Sequence, residues 1–198
     1  MKWQILKQGR VYKVQKGKAK FELFLYFFKR LKLKIQSNVS SKELENLLLA
    51  LLKERVIQFI TLRDRSQFEI ERYLLRLKQN RFTLKIIAWL KRMGLIDDKR
   101  FAQKTINYYK ERLYGPFYIK RELRNRRVSE DLIDEMLLSC YTKEQEQRIV
   151  EKLADRYLAL KGGVNRKNLI KLGRFLKSRG FPSYNFYQII EKYGDRNF

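Results

Sequence analysis

Asp97 and Asp98 are adjacent, and a carboxylate pair of that kind could hold a magnesium ion for phosphodiester hydrolysis. Such a centre needs further carboxylates at fixed positions, and the sequence signals none. The pair stands where a helical pattern begins, so its simpler role is at the positive end of a helix dipole. The chain has no histidine, the side chain most used for proton transfer near neutral pH and the commonest zinc ligand. Its one cysteine, Cys140, follows Leu137-Leu138, lacks a histidine partner and reads as a small buried hydrophobe. Gly162-Gly163 is not followed by Lys-Ser/Thr at the offset of a phosphate-cradling loop, so it reads as a linker. Asp131, Asp134 and Glu135 read as a solvated helix face. The sequence therefore offers no catalytic residue, no metal ligands and no cofactor site, and the expectation is a protein that is not an enzyme.

The cations say more. Lys and Arg number 46 against 21 Asp and Glu, a formal charge of +25, which attracts polyanions before any specific contact forms. No acid lies between Asp155 and Glu191, a stretch that holds Lys167, Lys171, Arg174, Lys177 and Arg179. Lys167, Lys171 and Arg174 are spaced four and three, which puts them on one face of a helix. Lys120, Arg124 and Arg127 show the same spacing, with Arg121 beside them. Tyr108, Tyr109, Tyr114 and Tyr118 flank that second group and could stack on bases, although packing between helices is the commoner use. A nucleic-acid-containing partner is the expectation, and a stand-alone basic DNA-binding module is the alternative reading.

What positions these cations is a train of helices. From Ser40 the apolar period is helical, with Ser40/Glu43, Ser66/Glu69 and Thr142/Gln145 as capping boxes. Further starts follow Thr83, Asp97, Pro116, Ser129, Asn165 and Ser183, with stops at Gly94, Gly162-Gly163 and Gly180. The expected stripes include Leu44, Leu47, Leu48, Leu51 and Leu52; Ile86, Ile87, Leu90 and Met93; and, in the last helix, Tyr187 and Ile190. Nine helices result, in three sets. The middle helix of each set has an aliphatic residue, an arginine two positions on and a leucine four positions on: Ile70/Arg72/Leu74, Ile119/Arg121/Leu123 and Leu172/Arg174/Leu176. At 100° per residue the three arginines point away from the core, so they should face solvent. In the second and third sets an apolar residue, Val128 or Phe181, follows the leucine by five positions, whereas Phe82 follows by eight, as if the first set held a short insertion. The fold class is all-α: three tandem three-helix repeats, at residues 41–94, 95–141 and 142–198, in a solenoid of either hand.

Residues 1–40 differ. Through residue 37 they hold 11 Lys and Arg and one acid, Glu22, and their apolar residues partly alternate. Leu31, Leu33 and Ile35 alternate with Lys32 and Lys34, and Gly9 and Gly17 stand at plausible turns. A small β-rich extension is expected, the unbroken Phe21–Phe28 run being equally compatible with a buried helix turn. That run contains Glu22 and is too short to span a bilayer, and no secretion signal precedes it, so a cytoplasmic protein without membrane contact is expected.

Several segments together resemble one family. Gly94-Leu95-Ile96-Asp97-Asp98-Lys99-Arg100-Phe101-Ala102, Gly115-Pro116-Phe117-Tyr118-Ile119-Lys120-Arg121-Glu122-Leu123, Arg63-Asp64-Arg65-Ser66 and Phe175-Leu176-Lys177-Ser178-Arg179-Gly180-Phe181 are similar to the repeat signatures of RecX proteins, in their order and spacing. The resemblance covers most of residues 44–193. Arg127 departs from it, standing where the family usually has glycine. The resemblance implies a cytoplasmic, monomeric regulator that lodges in the groove of the RecA filament on single-stranded DNA, lowering its ATPase and strand exchange in recombination, repair and the SOS response. The residues expected to meet filament or DNA are Arg72, Lys120, Arg121, Arg124, Arg127, Lys167, Lys171, Arg174, Lys177 and Arg179.

Overall fold

The computed structural model describes residues 2–194. It opens with an antiparallel sheet of three strands in the order β1 (Gln4–Gln8), β2 (Val11–Lys16), β3 (Ala19–Phe24). The turns between them carry Gly9 and Gly17 at φ +59° and +58°, a region open to glycine without a Cβ clash. The register pairs Ile5 with Val14 and Val14 with Phe21, so one face presents Val14, Phe21 and Leu23 to the core.

Helix α1 (Leu25–Gln36) follows at once, and here the alternating reading of Leu31, Leu33 and Ile35 as β is overturned. Phe27, Phe28, Leu31 and Ile35 recur at helical spacing and are buried, whereas Leu33 is 78% exposed. A stripe that buries four large side chains outweighs an alternation that would bury three.

Beyond residue 40 the described chain has nine α-helices: α2 (Ser41–Thr61), α3 (Gln67–Arg76), α4 (Thr83–Arg92), α5 (Asp98–Glu111), α6 (Pro116–Asn125), α7 (Glu130–Cys140), α8 (Lys143–Leu160), α9 (Arg166–Ser178) and α10 (Ser183–Gly194). They form three tandem three-helix repeats. The capping boxes at Ser66/Glu69 and Thr142/Gln145 are complete, and Ser40 Oγ accepts from the Glu43 N–H. Pro116 is the first residue of α6. Ser129 stands at its N-cap without a side-chain bond, and α7 has Glu130 and Asp131 in the first turn to meet the helix dipole instead. A 3-10 turn at Asn80–Phe82 leads into α4, which begins at Thr83 itself, and this turn is the extra length of the first repeat.

Two stripes differ from their expected phase. Met93 lies at the C-cap of α4 and is exposed, leaving Ile86, Ile87 and Leu90 to the core. In α10, which starts at Ser183, the buried residues are Asn185 and Ile189, and Tyr187 is 68% exposed. Packing of Phe186 against Gly173 sets that phase: a Cβ on Gly173 would lie 2.8 Å from the Phe186 ring.

The described residues fall into two compact units that divide between Asp97 and Asp98. In the first, sheet and helices α1–α4 share one core, with Trp3 Nε1 donating to the Val39 carbonyl across it. The second holds two cores, one under α5–α7 and one under α8–α10, with Ile149 packed against both. A backbone seam joins its repeats: the Gly115 N–H donates to the Arg179 carbonyl at 2.8 Å and the Phe117 N–H to the Gly180 carbonyl at 3.0 Å. No described helix is long and apolar enough to cross a membrane.

Candidate partner-binding face

Asn165 caps α9 through its Oδ1, which accepts the Asn168 N–H at 2.9 Å. Asn168, itself buried, donates to the carbonyls of Lys161 and Gly163, both at 2.9 Å, and so ties the Gly162-Gly163 turn to the helix. Leu169, Leu172 and Leu176 point into the third core. The opposite face must then carry the rest, and Lys167, Lys171, Arg174 and Lys177 are exposed. Arg166, Lys167, Lys171 and Arg174 surround Ile170 in an open groove of about 430 Å³. None of these cations forms an ion pair among the described residues.

The middle helix of the second repeat is arranged differently. Arg124 donates from Nε and Nη2 to the two carboxylate oxygens of Glu130 at 2.5 and 2.7 Å, while Lys120 pairs with Asp134 and stands 3.5 Å from Glu130. The bidentate bond raises the Arg124 pKa and lowers that of Glu130. The reading of Asp134 and Glu135 as merely solvated is thus corrected: α7 supplies acids to Arg124 and Lys120, and Glu135 takes Lys99 at 2.7 Å. Arg127 does not share their face. Helix α6 ends at Asn125, and Arg127 follows in the left-handed region at φ +51° with its N–H on the Arg124 carbonyl. This is a backbone region that glycine, the residue the resemblance leads one to expect here, enters freely.

Arg72, Arg121 and Arg174 are all exposed, on α3, α6 and α9. Arg72 lies over the Phe68 ring at 5.7 Å and Arg121 over Tyr118 at 4.7 Å. Arg179 is committed to the fold: half-buried, it donates to the Arg112 carbonyl at 3.2 Å and lies over Tyr114 and Phe175. The four tyrosines mostly pack on one another, with Tyr114 and Tyr118 stacked at 4.1 Å and Tyr109 edge-on to both. Tyr109 Oη also donates to Glu122 at 3.3 Å. Cys140 is half-buried against the second core. Among the described residues no three acidic or cysteine side chains gather where they could hold a metal ion.

A model of the family domain described as RecX, second three-helix domain, matches residues 97–137, which run from the start of α5 through most of α7. The regulatory protein RecX of Salmonella typhimurium is 25% identical over 160 residues, covering 74% of this chain and 93% of its own. That of Salmonella paratyphi A is 24% identical over the same shares. The chain is thus similar to RecX proteins over about three quarters of its length, and residues 97–137 match the second RecX domain. A crystal structure of regulatory protein RecX covers 96% of this chain and 97% of its own at TM-score 0.66 and 21% identity. That of RecX from Lactobacillus salivarius covers 74% and 96% at TM-score 0.67 and 20% identity. These two share the fold. The acid-free, cationic helix face lies in the third repeat, outside the matched domain.

Two features of the second unit escaped the sequence. Glu146, near the start of α8, is a buried carboxylate that accepts from Tyr184 Oη at 2.8 Å, and burial together with this bond pushes the Tyr184 pKa up to about 12. Phe117 and Ile170 are exposed apolar residues one helical turn before Arg121 and Arg174. Lining up the three middle helices on their buried anchors would have revealed the second feature; the first joins residues far apart in the chain and leaves no local signal.

Proposed function

We propose that this protein is a RecX-type regulator, which binds the RecA recombinase filament on single-stranded DNA and restrains its ATPase and strand exchange, without chemistry of its own. The observation that carries the reading is the acid-free face of α9, where exposed cations meet no carboxylate among the described residues. Like charges so placed repel one another until an anionic surface covers them. The similarity to RecX proteins suggests the partner. In this reading residues 41–94, 95–141 and 142–198 are the functional repeats behind a basic extension at 1–40, and a monomer acts in the cytoplasm in recombination and the SOS response. Arg72, Arg121, Lys167, Lys171, Arg174 and Lys177 meet the filament; Lys120 and Arg124 do so only by exchanging their α7 partners.

The test is RecA ATPase and strand exchange on preformed filaments. Addition of the protein should lower both. Unchanged rates with salt-sensitive binding to bare DNA would replace this reading with the stand-alone DNA-binding module, which the same cations favour.

A further inference from the structure

The second and third repeats carry an exposed apolar residue at the same place. Phe117 and Ile170 each stand two positions before the buried anchor of their helix, Ile119 or Leu172, and four before the exposed arginine. They are 61% and 46% exposed. Residues four apart share a helix face, so each helix offers an apolar knob with a guanidinium one turn on. Phe68 and Arg72 hold the equivalent places in the first repeat, with the ring half-buried.

The chemistry shared by Phe117 and Ile170 is apolarity and not aromaticity. Stacking on bases would use Phe117 and gain little from Ile170. A phosphodiester chain rewards the arginines but offers nothing to bury an aliphatic side chain. Beside Ile170 the surface also falls into a cleft of about 230 Å³, floored by Gly173, Pro182 and Phe186 and rimmed by Arg174 and Lys177. Gly173 keeps the cleft's wall at backbone level, since any side chain there would strike Phe186. An apolar cleft with a cationic rim complements an apolar side chain flanked by carboxylates.

We propose that Ile170, Arg174 and Lys177, with Phe117 and Arg121 as a second point, form a docking site for an acidic protein segment bearing an apolar anchor residue. This deepens the functional reading above and rests on it for the identity of the partner. Phe117→Ser and Ile170→Ser leave the charge unchanged, so they separate protein docking from polyanion binding. Three probes follow binding by fluorescence anisotropy: a short Asp/Glu-rich peptide with one central leucine, its serine counterpart, and a thymidine oligonucleotide. RecA ATPase on preformed filaments is measured alongside.

The double variant is expected to lose about tenfold in affinity for the leucine peptide and in filament inhibition, while its oligonucleotide binding stays within about twofold. Wild type should prefer the leucine peptide to the serine one by a similar factor. Full inhibition by a folded double variant overturns the proposal and leaves the functional reading standing. So does an oligonucleotide affinity that falls with the apolar residues while both peptides are ignored, which marks a nucleic-acid surface. If wild type leaves RecA untouched, the functional reading fails, and the peptides decide alone: equal affinity for the two ends the proposal. Should the double variant unfold, the milder Ile170→Thr is put through the same measurements.

Discussion

Helices α6 and α9 hold the same place in consecutive repeats, bury the same side and show lysines and arginines at the same spacing, yet their charges meet different fates. Around α6, Glu130 and Asp134 of the following helix take up Arg124 and Lys120. Around α9 the following helix carries no acid before Glu191, and Lys167, Lys171, Arg174 and Lys177 are left to solvent. A repeat fold fixes where a cation points; whether that cation is available is decided by the next helix. The two faces differ in readiness for an anionic partner although their own sequences read alike.

The largest expected effect comes from the seam that holds the two helices in one unit. Gly115 and Gly180 meet backbone to backbone, and a Cβ on Gly115 would lie 2.7 Å from the Phe181 nitrogen. Backbone cannot swing aside as a side chain can, so Gly115→Ala should cost roughly 3 kcal/mol, the upper end for overpacking. Gly162→Ala, where a Cβ meets nothing and only φ +83° is strained, should cost about 1 kcal/mol. Denaturant midpoints of the two variants give the ranking; equal costs would mean that the seam does not hold the repeats together.

Reversal of Arg121 and Arg174 to Glu comes next. Both are exposed and neither pairs with an acid among the described residues, so the melting temperature should barely move, a change within about 0.5 kcal/mol. Filament inhibition should fall by about tenfold or more. A folded double variant that inhibits RecA as wild type does would remove these arginines from the interface.

The helices were legible because their signals are local. Ser66/Glu69, Thr142/Gln145, Asn165 and Pro116 each act within one turn, and a buried anchor fixes the direction of an arginine two residues on. The extension was half legible: glycine turns mark the hairpins, but Leu31, Leu33 and Ile35 fit both periods, and only Phe27 and Phe28 two turns earlier decide for the helix. The site was least legible. Lys120 and Asp134 are separated by a helix end, a turn and a helix start, so their meeting depends on how α6 crosses α7. Likewise the phase of α10 depends on the notch at Gly173, which belongs to another helix.

The comparison can also be broken by making α6 resemble α9. Glu130→Gln with Asp134→Asn removes the carboxylates that hold Arg124 and Lys120 and frees two cations. Binding to duplex DNA should tighten, and the slope of log K against log salt should steepen by up to about 1.8, near 0.9 for each released counterion. An unchanged slope would show that α6 does not face the polyanion at all, whatever its pairing.

The smallest effect is a pH dependence that α6 should have and α9 should lack. Glu130 is held below the ordinary carboxylate range first by its hydrogen bond from Arg124 and further by the charges of Arg124 and Lys120. A carboxyl whose pKa is depressed on folding contributes stability that is present above its unfolded value and is lost as pH falls through the folded one. The group is fully exposed, so salt screens the contribution and it stays slight. Glu130→Gln imitates the protonated state at every pH. The wild type should therefore melt a little above the variant at neutral pH, and the gap should close in acid, below about pH 4. Added salt should narrow the neutral gap in the same direction. Substitutions among Lys167, Lys171 and Arg174 should open no gap with this shape, because no carboxylate among the described residues pairs with them. A Glu130 gap constant across the range would mean that the Arg124 bond does not form in solution, and the two helices would then be alike in their freedom to bind.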